Sequence, residues 1–182
     1  MKYKTITINR LFVVKSIIIC LFLIYALAVI DFTLINDNFG RNISNIFLAD
    51  KHEVNEYLSQ KINLVPFDTI KLFINAYREG NLETHIIIEN ILGNFFVFMP
   101  LAFFVPLIFK RVNSALRFLC CVSASVLVIE ILQMVFLTGS ADIDDFILNV
   151  LGAMAAYGVL SIPKIKRNIN RFLFGEDNEI KG

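Results

Sequence analysis

The chain has 182 residues, of which 57% are apolar and only 18% charged, and its mean hydropathy is +0.67, a balance that a water-soluble domain of this size does not carry. Lys and Arg number 17 against 16 Asp and Glu, so there is no broad basic surface to neutralise phosphates, and nucleic acid is excluded as the default partner. The apolar residues are gathered into long runs, as in helices that face a lipid bilayer.

The first run, Leu11 to Ile30, follows Lys2, Lys4 and Arg10 and includes Lys15. With Ala26-Leu27-Ala28 near its end it also resembles a cleavable signal peptide. A retained anchor is preferred, because the run continues through Val29 and Ile30 and leaves an even number of spans. Residues 1–35 therefore read as a cytoplasmic segment plus the first transmembrane helix.

Residues 36–85 read as an extracytoplasmic segment of mixed charge. Glu53 to Tyr57 suggests a solvated helix. In NLVPFDTIKLFINAYR, Asn63 to Arg78, Pro66 lies near a helix start, Asp68 or Thr69 is placed to cap it, and Ile70, Phe73, Ile74 and Tyr77 share one face. The spacing predicts an amphipathic helix lying along the membrane surface or against the bundle.

Residues 86–162 hold three more spans, Ile86 to Phe109, Phe118 to Thr138 and Ile143 to Ile162, each near the roughly 20 residues that cross a hydrocarbon core. Pro100 and Pro106 should bend the second, and Gly152, Ala153, Ala155, Ala156 and Gly158 offer a small-residue face on the fourth. Residues 163–182 read as a basic cytoplasmic tail, disordered from Gly175 to Gly182. Lys110, Arg111 and Arg117 join Lys164, Lys166, Arg167 and Arg171 on one side, so the positive-inside rule places both termini in the cytoplasm. The predicted fold is an all-α membrane protein, a four-transmembrane-helix bundle with an amphipathic helical outer segment between its first and second spans.

Polar residues inside such spans need partners, since an unpartnered amide or carboxyl costs several kcal/mol in hydrocarbon. Asn90 and Asn94 share a face of the second span, Glu130 and Gln133 a face of the third, and Asp142, Asp145 and Asn149 a face of the fourth, from which Asp144 points away. From the rise per residue, Asn94 lies roughly 12 Å, Asn149 roughly 9 Å and Glu130 roughly 12 Å below the outer boundary. One reading makes these residues interhelical glue. The other makes them the lining of an outward-opening site for a polar head group, a cation or a proton, with Asp142 and Asp145 as its solvent-facing rim.

The blocks NLVPFDTI (Asn63 to Ile70), GNFFVFMPLAFFVPL (Gly93 to Leu107), IEILQ (Ile129 to Gln133) and DIDDFILNVLGAMAAYG (Asp142 to Gly158) resemble, in order and spacing, the VanZ-like family of small bacterial membrane proteins, over about 61–161. The family-like positions are Asn63, Pro66, Phe67, Asn94, Pro100, Glu130, Gln133, Asp142, Asp145, Asn149 and Gly152. Two positions depart from the pattern. Ala102 stands where the family usually has Gly, and no Arg precedes Asp142 between Thr138 and Ala141, which removes an ion-pair partner for Asp142 or Asp145. The resemblance implies a multi-span protein of the bacterial cytoplasmic membrane and suggests a part in antibiotic resistance, since the family's namesake is linked to low-level resistance to teicoplanin, a glycopeptide that binds cell-wall precursors.

The combined expectation is a non-enzymatic envelope protein that meets a cell-wall precursor or another outer-leaflet ligand through the polar cluster. An intramembrane hydrolase or transferase acting on a lipid-linked substrate, and an ion- or proton-coupled transporter subunit, are the alternatives. Catalytic residues are unassigned. His52 and His85 form no metal-ligand spacing, and Cys20, Cys120 and Cys121 lie in apolar runs, so neither a metal nor another cofactor is expected.

Overall fold

The computed structural model describes residues 10–35, 47, 49–80 and 84–175. Helix α1 (Arg10–Ile30) runs on into a wider π-helical turn, Asp31–Ile35. It is followed by α2 (Lys51–Lys61), β1 (Ile62–Asn63), α3 (Asp68–Glu79), α4 (Thr84–Val97), α5 (Leu101–Ile108), α6 (Ala115–Val135), β2 (Ala141–Asp142), α7 (Ile143–Leu160) and α8 (Pro163–Phe174). Four stretches, Leu11–Ile35, Ile87–Ile108, Ala115–Val135 and Ile143–Leu160, are long and apolar enough to cross a membrane. The protein is an all-α, four-span membrane bundle.

The second span is two helices rather than one bent helix. Pro100 has no backbone N–H to continue the ladder; Phe98 to Pro100 form a turn, and the Leu101 amide bonds back to Phe98 O rather than to Val97 O. The carbonyl of Val97 is instead taken by the Tyr25 hydroxyl of α1 at 2.7 Å, and the Tyr25 ring stacks on Phe104 with centroids 5.7 Å apart. The proline break is thus where α1 is fastened to the other spans.

Helices α4 and α7 touch backbone to backbone. A Cβ built on Gly152 would lie 1.7 Å from the carbonyl oxygen of Phe95, so only glycine permits this approach. Gly158 and Gly93 have nothing within 4 Å of a built Cβ. The inward stripe of α6 is apolar at Phe118, Val122 and Val126 and becomes polar at Glu130 and Gln133. The whole interior follows that division. Phe98, Leu101, Ala102, Val105, Phe118 and Val122 fill one part of it, whereas the buried polar residues Thr33, Glu130, Gln133, Thr138, Asp142 and Asp144 gather towards the end that carries α2 and α3.

Two parts of the connecting segments differ from the sequence reading. Within the presumed basic tail, residues 163–174 form α8, an amphipathic helix with Pro163 in its first turn, the buried Phe174 on one side and four basic residues on its exposed surface. Helix α2 is capped by Asp50 in a reciprocal capping box with Glu53, but it is not simply solvated, because the Tyr57 hydroxyl donates to Gly139 O in the turn before α7. Residues 36–46 and 176–182 lie outside the described residues.

Gly152→Ala is expected to lower thermal stability in detergent by about 3 kcal/mol or more, since overpacking against a backbone carbonyl cannot be relieved by a rotamer change. Gly158→Ala should change stability by no more than about 1 kcal/mol, in the stabilising direction set by helix propensity. Equal melting temperatures for the two variants would disprove the close approach.

Candidate functional site

The two-residue strands β1 and β2 pair in parallel, Ile62 with Ala141 and Asn63 with Asp142. This brings the Asn63–Ile70 block against the start of α7. Asp142 caps its own helix, one carboxyl oxygen accepting the Asp144 amide at 2.8 Å, while the other accepts the Thr69 hydroxyl at 2.5 Å. Asn63 spans the junction: its amide donates to Thr69 Oγ1 at 2.8 Å and lies 3.5 Å from each Asp142 oxygen, and its Oδ1 accepts the Val65 amide at 3.1 Å. Pro66 and Phe67 complete the turn into α3, with Phe67 in the left-handed region at φ 66°.

Asp144, which the periodicity argument set aside as pointing away from that face, does point away from it, towards α3. It is 1% exposed, the most buried of the described polar residues. Its two oxygens accept the backbone amides of Phe67 at 2.5 Å and of Ile70 at 3.1 Å. Those amides belong to the first turn of α3, where N–H groups lack intrahelical partners and the helix dipole favours a negative charge. The cap expected from Asp68 or Thr69 is therefore supplied by another helix; Asp68 stays exposed and Thr69 turns to Asp142. That periodicity leaves its partner unforeseen has a physical origin: helical spacing says which residues share a face, but it does not say what lies opposite the remaining face. A carboxyl at the edge of an apolar span needed a partner at position 144 as much as at 145, and that was the signal available.

Asp142 is corrected as a solvent-facing rim, because it is buried and held by Thr69 and the Asp144 amide. Asp145 turns inward between helices, where the Asn94 side-chain amide of α4 donates to its carboxylate. Asn149, one turn deeper and 3% exposed, donates to the backbone carbonyl of Asp145 at 2.8 Å. Its Oδ1 and the Oδ1 of the half-buried Asn90 are both shielded from solvent, and neither meets a hydrogen-bond donor from the described residues. Buried acceptors are normally matched, so each requires an explanation.

Glu130 is on the inward stripe of α6, 9% exposed and so turned away from lipid. Gln133 does not join Asp145; its amide donates to Thr33 O in the π-helical turn that follows α1, at 3.2 Å, and its side chain packs beneath Gly139. Pro100 and Gly152 act through the helix break and the α4–α7 contact described above. The structure therefore assembles Asn94, Asp145 and Asn149 directly, brings Asn63, Thr69, Asp142 and Asp144 into a separate junction above them, and assigns Gln133 to the π-helical turn after α1. Sequence reasoning missed Thr69 as a bonding partner, together with Asp144, Tyr57 and Thr33. No group of His, Cys, Asp and Glu with metal-site geometry occurs among the described residues.

The pattern of the whole VanZ/LLP1 family matches residues 22–164, most of the 182-residue chain. The chain belongs to the VanZ/LLP1 family. The match opens within α1 and closes at the start of α8, so the α2–α3 segment and both polar groups of this VanZ/LLP1 protein lie inside it. No curated protein and no solved structure matches the chain.

Replacing Asp144 by Ala leaves the Phe67 and Ile70 amides without their acceptor and is expected to cost about 2 kcal/mol or more. Hydrogen exchange should accelerate at those two amides while the amides of α6 stay protected; unchanged exchange at Phe67 and Ile70 would refute the cap. Tyr57 supplies a pH test. Burial raises its phenol above the ordinary value of 10.0, and only the protonated hydroxyl can donate to Gly139 O. A raised folded-state value means that its contribution is full below the unfolded value and is lost as pH climbs through the folded one. Tyr57→Phe should be less stable than the parent by about 1 kcal/mol at neutral pH, with the gap closing in alkali; a gap independent of pH would contradict the buried phenol.

Proposed function

We propose that this VanZ/LLP1 protein is a non-enzymatic component of the bacterial cytoplasmic membrane, with both termini in the cytoplasm. In this reading its Asn90–Asn94–Asp145–Asn149 group, with Glu130 on the neighbouring α6, is reached from the outer face and engages a cell-wall precursor or other outer-leaflet component. Occupancy alters how teicoplanin-type glycopeptides reach their target. The orientation is supported by the bases of the α5–α6 turn and of α8 at one end of the bundle, against the acidic α7 start at the other.

The observation that carries the reading is the pair of shielded acceptors, Asn90 Oδ1 and Asn149 Oδ1, on the two helices joined by the Asn94–Asp145 contact. Helices α4 and α7 contain no Lys or Arg. The ligand group that fits two shielded amide acceptors on helices without Lys or Arg is a donor, an N–H, an O–H or an ammonium, rather than a phosphate. The peptide and sugar parts of a precursor offer such donors. An unmatched buried acceptor costs stability in the unliganded fold, as expected of a group kept for binding.

Expression in a susceptible host should shift inhibition by teicoplanin and leave unrelated envelope drugs unchanged. Asn90→Leu should abolish the shift at equal protein level while leaving thermal stability the same or higher, since it removes an acceptor already without a described donor. Glu130→Gln should weaken the shift if its carboxyl takes part. A stability loss of about 1–3 kcal/mol for Asn90→Leu with the shift intact would make the group structural glue. Turnover of labelled lipid-linked precursor by the purified protein would replace the binding role with an enzymatic one.

A further inference from the structure

The end of the bundle opposite α2 and α3 holds a feature that the polar cluster does not use. Lys110, Arg111 and Arg117 border the α5–α6 turn, and α8 adds four more bases. Among the described residues, neither the segment 106–118 nor 161–175 contains an Asp or Glu. An open groove of about 560 Å³ is lined by Arg111, Val112, Leu116, Arg117 and Cys120. The Arg117 guanidinium is held in place by Arg111 O at 3.1 Å and Asn113 Oδ1 at 2.7 Å, both on one of its terminal nitrogens. No described carboxylate pairs with either arginine.

The apolar side of the groove continues along α6. Leu116, Cys120, Ala124 and Leu127 are all exposed and follow one another at helical spacing down the lipid-facing side of the span. Two guanidiniums at the mouth and an apolar stripe beneath match an amphiphile with an anionic head. Planar guanidinium forks bind phosphate through paired hydrogen bonds, and the helix spans the medium in which such lipids are dissolved.

We propose that this groove is a binding site for an anionic phospholipid, with its headgroup phosphate on Arg111 and Arg117 and an acyl chain along Leu116, Cys120, Ala124 and Leu127. The site is independent of the polar cluster and of the function assigned to it. Bound lipid neutralises the basic turn between α5 and α6 and fixes the depth of the bundle in the leaflet.

Native mass spectrometry of the full chain, released from detergent with equal phosphatidylglycerol and phosphatidylcholine, tests the site. Two arginines near an anionic headgroup should give about a tenfold preference for phosphatidylglycerol. R111Q/R117Q should reduce the preference to about threefold or less, R111K/R117K should fall between, and K71Q/R78Q at the other end should leave it unchanged. Because Arg117 also braces the turn, Arg111→Gln alone is the safeguard against misfolding: no described hydrogen bond involves its side chain, and about a threefold loss is expected. No preference in the parent, an unaltered preference in both glutamine variants, or an equal loss in K71Q/R78Q would overturn the proposal. Displacement of phosphatidylglycerol by an equal concentration of inorganic phosphate would overturn it too, by showing that the groove reads the anion and not the lipid.

Discussion

The carboxylate of Asp144, accepting the Phe67 and Ile70 amides, is the contact on which the upper part of the molecule depends. A short helix such as α3 has little intrinsic stability, and its first amides need acceptors wherever water is scarce. Asp144 satisfies two of them from the first turn of a neighbouring span, where the dipole of α7 itself favours a negative charge. Asp142 then ties the same segment through Thr69, and the β1–β2 pair sets the register. The three acidic residues of one motif, Asp142, Asp144 and Asp145, thus face three ways: into their own cap, across to α3, and down into the bundle.

Below that junction the geometry is governed by the absence of a side chain. Gly152 lets the backbone of α7 meet the carbonyl of Phe95, and this proximity lets the short side chains of Asn94 and Asp145 reach each other. In hydrocarbon no water completes a hydrogen bond, so polar side chains of this length act only where helices come close. The apolar packing at the other end, with Phe118 stacked on Tyr157 at 4.5 Å between centroids, holds the helices while the polar half supplies specific contacts.

The division of the interior is matched by the division of charge. The polar half lies near the acidic start of α7, and the apolar half near the basic turn and α8. The carboxylates and the guanidiniums of the two ends are separated by the length of the spans, so they do not neutralise one another and each end presents a different chemistry to what it meets. The missing arginine ahead of Asp142 fits this arrangement: Asp142 accepts from Thr69 and Asp145 from Asn94, both neutral donors.

The four spans, the amphipathic α3 and the faces carrying Asn94, Glu130 and Asp145 were legible because each rests on local arithmetic: run length, helical period and residue type. The family blocks also marked Asn63, Phe67 and Gly152 as belonging together without saying why. What the linear chain could not disclose was which residue meets which. Asp144 and Asp145 are adjacent and chemically alike, yet one caps α3 and the other receives Asn94; Gln133 shares a face with Glu130 and still bonds to Thr33. Composition and periodicity determined the solvent, the number of crossings and the polar faces, because these follow from each segment alone. The partner of every polar group was decided by tertiary structure, because a hydrogen bond depends on distances of a few ångströms between segments far apart in sequence.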